Sequence, residues 1–125
     1  PICVRRVSAV TAACMMVSTK VYDELGGLDE SFAVAFNDVD FCMKIGKAGY
    51  SIIFQPLVRG WHYESKSRGK DNTGTKMRRF SREINNFIVR YVKDILNGDP
   101  YYNHNLSLTH DDYSYRDPYW FDKDF

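Results

Sequence analysis

The sequence predicts an α/β fold, a short mixed sheet with flanking helices, on two observations. Short apolar runs with strand propensity alternate with capped helical segments in its first half, and apolar residues recur at helical spacing after residue 75. The composition agrees, because 125 residues with 44% hydrophobic and 26% charged residues are typical of one globular domain. The longest uncharged stretch, residues 7–19, is shorter than the roughly 18 residues that a membrane-spanning helix needs. We therefore expect no transmembrane segment.

The first predicted elements are a strand over residues 10–17 and a helix over residues 18–25. The strand is predicted because the run is short, apolar and rich in residues that favour burial. Ser18 is a good helix N-cap, and Gly26 with Gly27 supplies a left-handed stop that residues with a Cβ resist. The strand therefore leads directly into a short helix.

A second helix and two further strands are expected next. The helix is predicted over residues 38–48, beginning near Asn37 or Asp38, whose side chains can cap backbone N–H groups. Residues 50–55 and 57–63 have strand propensity and are separated at a proline.

A long amphipathic helix is predicted over residues 75–97, ending at Gly98 before Pro100. Its apolar positions follow steps of three and four: Met77, Phe80, Ile84, Phe87, Ile88, Tyr91, Val92, Ile95 and Leu96. The tail, residues 99–125, holds eight aromatic residues without any period, so we expect an irregular segment that wraps over the domain.

Charge is distributed unevenly although the net charge is only +1. Residues 59–98 carry ten basic and four acidic side chains, whereas residues 99–125 carry two and six. The basic part either faces an anionic ligand or pairs with the acidic tail, or else it is a solvated helix face. Its helical members are Arg78, Arg79, Arg82, Arg90 and Lys93. The acidic aromatic tail argues against binding of nucleic acid, whose phosphates it would repel.

The three cysteines, Cys3, Cys14 and Cys42, are odd in number and widely spaced, which favours reduced thiols and a cytoplasmic location. The chain begins without an initiator Met and without a signal-peptide pattern. We expect it to be a piece of a longer polypeptide.

Two places in the sequence could carry chemistry. Asp38 and Asp40 lie at a predicted loop-to-helix junction, where a carboxylate can act as a general base or can simply cap the helix. His62 follows an extended segment and precedes a polar loop, so it is either a metal ligand or an ordinary structural histidine. Spacing alone leaves both alternatives open.

Several short motifs follow one another in the first half of the chain: Gly26-Gly27-Leu28-Asp29-Glu30-Ser31-Phe32, Asn37-Asp38-Val39-Asp40-Phe41-Cys42, Ala48-Gly49-Tyr50, Gln55-Pro56 and Trp61-His62-Tyr63-Glu64-Ser65. In this order and at this spacing they closely resemble the second half of bacterial family 2 glycosyltransferases of the GT-A fold. The match covers roughly residues 8–69. The long helix and residues 98–107 resemble more weakly the C-terminal extension of members that assemble polysaccharides.

The resemblance implies inverting transfer of a sugar from a nucleotide-sugar donor to an acceptor hydroxyl. It makes Asp38 the general base, although Asn37 stands where the family has Glu. It makes His62 one ligand of a divalent cation, Mn or Mg, on the donor diphosphate, with Ser65 and Arg68 beside the same phosphates.

The resemblance also divides the chain and places the acceptor. Residues 1–69 would be the acceptor-side half of the catalytic domain, residues 70–98 a loop and the long helix, and residues 99–125 the C-terminal extension. A loop would border the acceptor pocket, and its residues are Gly27, Leu28, Asp29 and Glu30. The acceptor is expected to be a saccharide or lipid-linked, at the inner face of the membrane.

The donor-binding half of such an enzyme would precede Pro1, so the chain alone is expected to be inactive and, with an apolar face uncovered, to self-associate. Two other interpretations stay open. One is a non-catalytic interaction or regulatory domain with the same fold, and the other is a metal-dependent hydrolase that uses Asp38, Asp40 and His62.

Overall fold

The fold is described from a computed structural model, which covers residues 3–63, 74–110 and 112–116. It contains two short strands, three α-helices and one 3-10 helix in that part of the chain. In chain order they are β1 (Arg5–Val7), the 3-10 helix (Ala12–Cys14), α1 (Thr19–Glu24), α2 (Asn37–Lys47), β2 (Ile52–Phe54) and α3 (Gly74–Asn97). The predicted α/β class is confirmed at this coarse level.

The described sheet has two strands, β1 and β2, which pair antiparallel with Val7 opposite Ile52 and Arg5 opposite Phe54. The strand predicted over residues 50–55 is confirmed as β2. The expected mixed sheet is wrong for the described residues, because a single antiparallel pair is what forms there.

The strand predicted over residues 10–17 is wrong, because this run forms the 3-10 helix instead. The Thr11 hydroxyl accepts a hydrogen bond from the Ala13 amide at 3.3 Å and so caps a tight turn. Met16, expected inside a strand, is 99% exposed. The run lies against α2, where the Cys42 thiol donates to the carbonyl of Val10 at 3.7 Å. This run therefore contacts a helix and does not pair with a strand.

The strand predicted over residues 57–63 is also wrong. The chain turns at Pro56, where the Val58 amide donates to the carbonyl of Gln55 at 3.2 Å. Residues 58–63 follow without strand assignment, and the aromatic side chains of Trp61 and Tyr63 are exposed. The turn removes the segment from the register of β2.

The predicted start and stop of α1 are confirmed. The Ser18 hydroxyl accepts from the Val21 amide at 3.3 Å, and Gly26 and Gly27 adopt φ of +73° and +64°. Leu25, directly before Gly26, is the C-cap of the helix.

The second helix begins where the sequence predicts, but with a different N-cap residue. Its N-cap is Phe36, which has a left-handed φ of 66° and makes no side-chain cap. The helix ends before Gly49, which has φ of +85°.

The long helix α3 matches its prediction within a residue at each end, apart from non-helical backbone at Tyr91. After Gly98, at φ of +73°, residues 99–110 and 112–116 form no helix or strand, and a single β-bridge joins Leu106 to Tyr115. No helix within the described ranges is long and apolar enough to span a bilayer.

The core of the described part is small and is formed mostly by α2, with one residue of the preceding loop and one of α3. Its buried apolar side chains are Phe32, Phe41, Cys42, Ile45 and Tyr91. Cys3 and Cys14 are free and exposed, whereas Cys42 is free and buried.

Candidate active site

Asp38 lies in the first turn of α2, and both of its carboxylate oxygens are held by backbone amides. Oδ1 accepts from the Val39 amide at 2.9 Å, and Oδ2 accepts from the Ala12 amide at 3.1 Å. The side chain is half-buried. Each carboxylate oxygen has two lone pairs, so each keeps one that these amides do not use. The geometry therefore gives a fixed carboxylate that can still accept a proton.

The junction before α2 is held by aromatic stacking. Phe36, in its left-handed conformation, stacks on Phe80 and Phe87 of α3, with ring centroids 6.1 Å and 5.0 Å away. The Asn37 amide oxygen accepts from the Asp38 backbone N–H at 2.7 Å. A bulky residue with positive φ is costly unless its surroundings hold it, and here two rings do so.

Asp40 is fully buried and belongs to an ionic network rather than to an open site. It contacts Lys44 Nζ at 2.9 Å, Arg90 Nη1 at 2.7 Å and the Tyr91 hydroxyl at 2.7 Å. Burial alone would raise the pKa of Asp40, but its bonds to Lys44, Tyr91 and Arg90 outweigh burial and lower it. Asp40 is a structural carboxylate, which removes one of the three residues that the hydrolase interpretation needs.

The predicted acceptor-side loop is tightly held at one end and exposed at the other. Gly27 is buried, with its amide bonded to the Tyr22 carbonyl at 2.9 Å, whereas Leu28 and Glu30 are exposed. Asp29 accepts from the Ser31 amide at 2.8 Å and from Arg90 Nη1 at 2.6 Å. Its hydrogen bonds to Ser31 and Arg90 hold the pKa of Asp29 well below its usual range.

Arg90 connects this loop to α2, because its Nη1 atom contacts both Asp29 and Asp40. Its guanidinium also lies 4.8 Å from the centroid of the Phe32 ring. The two carboxylates, Asp29 first, raise the pKa of Arg90 above its ordinary value. Arg90 therefore bonds to carboxylates of this chain, although its side chain stays 38% exposed.

Three residues of α3 that hold this region were not predicted from the sequence: Glu83, Arg90 in this role, and Tyr91. Glu83 is buried, and its Oε2 accepts from the Ala35 amide at 2.7 Å. The available signal was position, because a charged residue at 83 and another at 90 share the helix face of Phe80 and Phe87. Their partners lie about 50 residues away in sequence, where no local pattern reaches.

The predicted donor-side residues are largely beyond the described part. His62 is exposed at the end of residues 58–63, and Ser65 and Arg68 lie outside the described residues. Within the described residues no group of three or more His, Cys, Asp and Glu side chains could hold a metal ion. His62 by itself does not fit a complete divalent-cation site, because Mg and Mn prefer several oxygen ligands.

A cavity of about 660 Å³ lies on another side of α2, between β1, α3 and the segment after Gly98. Its lining includes Met43, Tyr50 and Tyr101, together with Lys47 and Asp94, which pair at 2.9 Å. Neither Asp38 nor the loop of residues 27–30 lines it. The cavity and the candidate site are therefore separate features.

Four curated proteins are similar to the chain, and two of them are the same enzyme from two strains of one bacterium. The uncharacterized protein y4gI of Sinorhizobium fredii is 42% identical over 114 residues, which are 90% of this chain and 12% of that protein. The O-antigen biosynthesis protein RfbC of Myxococcus xanthus is 31% identical over 105 residues, 81% of this chain and 8% of that protein. The N-acetylglucosaminyl-diphospho-decaprenol L-rhamnosyltransferase of Mycobacterium tuberculosis is 30% identical over 67 residues, 54% of this chain and 22% of that enzyme.

The chain spans less than a quarter of the length of each of these relatives. No protein-family profile matches it. No solved structure matches it either. The chain is nevertheless related in sequence to a glycosyltransferase, the rhamnosyltransferase, and to a protein of O-antigen biosynthesis.

Proposed function

We propose that the chain forms the acceptor-side half of an inverting family 2 glycosyltransferase of the GT-A fold. The observation that carries this proposal is the Asp38 carboxylate, fixed by two backbone amides at the start of α2 and still able to accept a proton. The sequence relationship to a rhamnosyltransferase supports the class of reaction. Residues 1–69, 70–98 and 99–125 remain the proposed catalytic, helical and C-terminal parts.

In the proposed reaction Asp38 accepts the proton of the acceptor hydroxyl. The acceptor oxygen forms a bond to the anomeric carbon of the donor sugar, and the bond from that carbon to the diphosphate breaks. The nucleoside diphosphate leaves with the electron pair, and the configuration at the anomeric carbon inverts. A base is needed because an alcohol is a weak nucleophile until its proton is taken.

The acceptor would lie between Asp38 and the loop of Gly27, Leu28, Asp29 and Glu30. Glu30 and Leu28 are exposed, so the loop offers one charged and one apolar side chain to a ligand. The proposed acceptor is a saccharide or a lipid-linked saccharide, used in surface polysaccharide assembly in the cytoplasm at the inner face of the membrane. The O-antigen protein among the relatives supports this setting.

The donor side is proposed to depend on residues outside this chain, with Ser65 and Arg68 near the diphosphate. A divalent cation, Mn or Mg, would neutralise the leaving group, and His62 would supply one of its ligands.

Titration of the 125-residue chain with Mn²⁺ should show only weak binding, because one imidazole is a poor site for a hard cation. In the complete polypeptide, His62→Ala should weaken Mn²⁺-dependent binding of nucleoside diphosphate. Tight binding by the chain, or an unaffected His62→Ala variant, would contradict the assignment.

A transfer assay tests the proposed function against the alternative of a non-catalytic interaction domain. The complete polypeptide is incubated with nucleotide-activated L-rhamnose and N-acetylglucosaminyl-diphospho-decaprenol, the substrate class named for a relative. A panel of other nucleotide sugars is run in parallel, and release of nucleoside diphosphate is measured. Acceptor-dependent release by the complete polypeptide, with none by the 125-residue chain, is expected. Absence of release with every donor would favour the interaction domain.

A further inference from the structure

One face of α3 contacts the segment from Asp29 to Asp40 at several residues, and this segment contains the turn before Asp38. Phe80 and Phe87 stack on Phe36, Glu83 bonds to Ala35, and Arg90 bonds to both ends of the segment. We infer that Arg90 and Glu83 are positioning residues, which set where Asp38 lies relative to the acceptor-side loop. This inference rests on the proposed function, because it gives Asp38 its role.

Arg90 fixes the distance between the loop and the helix. Its Nη1 atom lies 2.6 Å from Asp29 Oδ2 and 2.7 Å from Asp40 Oδ1, so one charged group joins two parts of the chain that are separated in sequence. Charge-assisted hydrogen bonds of this kind are short and roughly twice as strong as neutral ones. Because Asp40 lies one helical half-turn from Asp38, any movement of the Arg90 contact moves the first turn of α2.

Glu83 fixes the turn in the middle of the segment. Its side chain is 1% exposed, its Oε2 accepts from Ala35 at 2.7 Å, and its Oε1 makes no hydrogen bond among the described residues. Arg79 Nε lies 3.7 Å from Oε1, a distance for charge attraction rather than a close hydrogen bond. Burying a carboxylate with incomplete hydrogen bonding is unfavourable, and apolar residues in place of a whole buried ion pair often stabilise a protein equally well. The bond to Ala35 holds the turn in place, and this is a role for Glu83 other than stabilising the fold.

Catalysis makes such placement matter. Displacing a catalytic group by about 1 Å can lower the rate by about a hundredfold. Asp38 is bonded to one amide of its own helix and one amide outside it, so its carboxylate follows the first turn of α2. The residues of α3 would thus influence the acceptor step without touching either substrate.

The test compares Arg90→Gln and Glu83→Leu with Arg82→Gln, an exposed position on the same helix. Hydrogen exchange of the complete polypeptide, read by mass spectrometry, should become about tenfold faster in the peptide covering residues 29–41 for the first two variants. The peptide covering α1 should keep its rate in all three. Unchanged exchange in residues 29–41 would overturn the inference whether or not the protein is active.

The same variants are then measured in the transfer assay. Arg90→Gln should lower kcat by about ten- to a hundredfold with the donor KM unchanged. Arg90→Lys should recover part of the loss, because it restores a cation that can reach the carboxylates. Faster exchange with normal kcat would make the contacts merely structural and would overturn the inference.

Failure of the proposed function is recognised separately. If Asp38→Asn loses turnover and Arg90→Gln does not, the positioning role is wrong and the base assignment stands. If Asp38→Asn keeps its turnover, the base assignment is wrong and the positioning role falls with it. Should Glu83→Leu unfold, Glu83→Gln retains an acceptor for Ala35 without the charge and should leave exchange in residues 29–41 close to that of the unmodified protein.

Discussion

Asp38 and Asp40 are only two residues apart, yet one faces the 3-10 helix and the other faces α3. Two residues along a helix correspond to about 200° of rotation, so the two carboxylates fall on opposite sides of α2. Asp38 bonds to the Ala12 amide, while Asp40 is enclosed by Lys44, Arg90 and Tyr91. Helical geometry thus separates a candidate base from a structural anion within one short motif.

Gly27 shows the same residue-level constraint on the acceptor-side loop. A Cβ placed there would lie 2.7 Å from the Tyr22 ring, which is held by Phe41 at 5.3 Å and by the Leu28 amide. Gly26 also has a positive φ, but a Cβ there meets nothing within 4 Å.

We therefore predict that Gly27→Ala destabilises the chain more than Gly26→Ala does. Both pay about 1–2 kcal/mol for a left-handed residue with a Cβ. Gly27→Ala adds about 1–3 kcal/mol from overpacking against Tyr22. Urea unfolding of the two variants measures the difference, and equal losses would show that the Tyr22 ring moves aside freely.

At the level of elements, the network around Arg90 joins the loop, α2 and α3. The hydrogen bonds of Asp29 to Ser31 and Arg90 lower its pKa in the folded chain. Burial raises the pKa of Asp40, but its bonds to Lys44, Tyr91 and Arg90 outweigh burial and lower it. A carboxyl whose folded pKa is depressed stabilises the fold above its unfolded pKa, about 3.9 for Asp. That stabilisation is lost as pH falls through the lower folded value.

We predict that the free energy of unfolding decreases as pH falls below about 4, and that Arg90→Gln weakens this dependence. Removal of Arg90 takes away one shared cause of both shifts. Urea unfolding at a series of pH values from 7 downwards measures it, with Arg82→Gln as the control. The same pH dependence in all three proteins would show that the network does not link the elements energetically.

The elements themselves were predictable to different extents. α1 and α3 followed from local signals, the Ser18 cap, the glycine stops and the apolar spacing, because these act within a few residues. The strand expected over residues 10–17 does not form, because an apolar run does not specify its partner. Instead, this run is hydrogen-bonded to Cys42 and Asp38 of α2. The loop-to-helix junction points to Asp38 and Asp40 together, and the family resemblance selects Asp38. Glu83 and Arg90 act on partners about 50 residues away, which no local pattern identifies.

At the scale of the whole molecule, much apolar surface stays exposed in the described residues. Ile88, Val92 and Ile95 follow one another at helical spacing along α3 and are 44–49% exposed, and Leu96 beside them is 80% exposed. Contiguous apolar patches of this kind mark interaction surfaces rather than ordinary exposure of single residues. In the complete polypeptide other segments would cover this surface under the proposed function.

We predict that the 125-residue chain self-associates through this stripe. Light scattering across micromolar concentrations should give a mass that rises with concentration, because uncovered apolar surface is removed from water on association. Replacing Val92 and Leu96 by Gln should reduce the apparent mass, whereas Arg82→Gln on the same helix should not. A constant monomer mass for the unmodified chain would contradict this prediction.

Turnover of the Asp38→Asn variant of the complete polypeptide tests the central claim most directly. Asn keeps the size of the side chain and one amide-accepting oxygen but cannot take up the acceptor proton, so kcat should fall by about a hundredfold or more. Binding of the nucleotide donor should change little, and the matched variant Asp23→Asn, at an exposed position in α1, should behave like the unmodified protein. Near-normal turnover by Asp38→Asn would contradict the account and would leave Asp38 as a residue that only holds the start of α2.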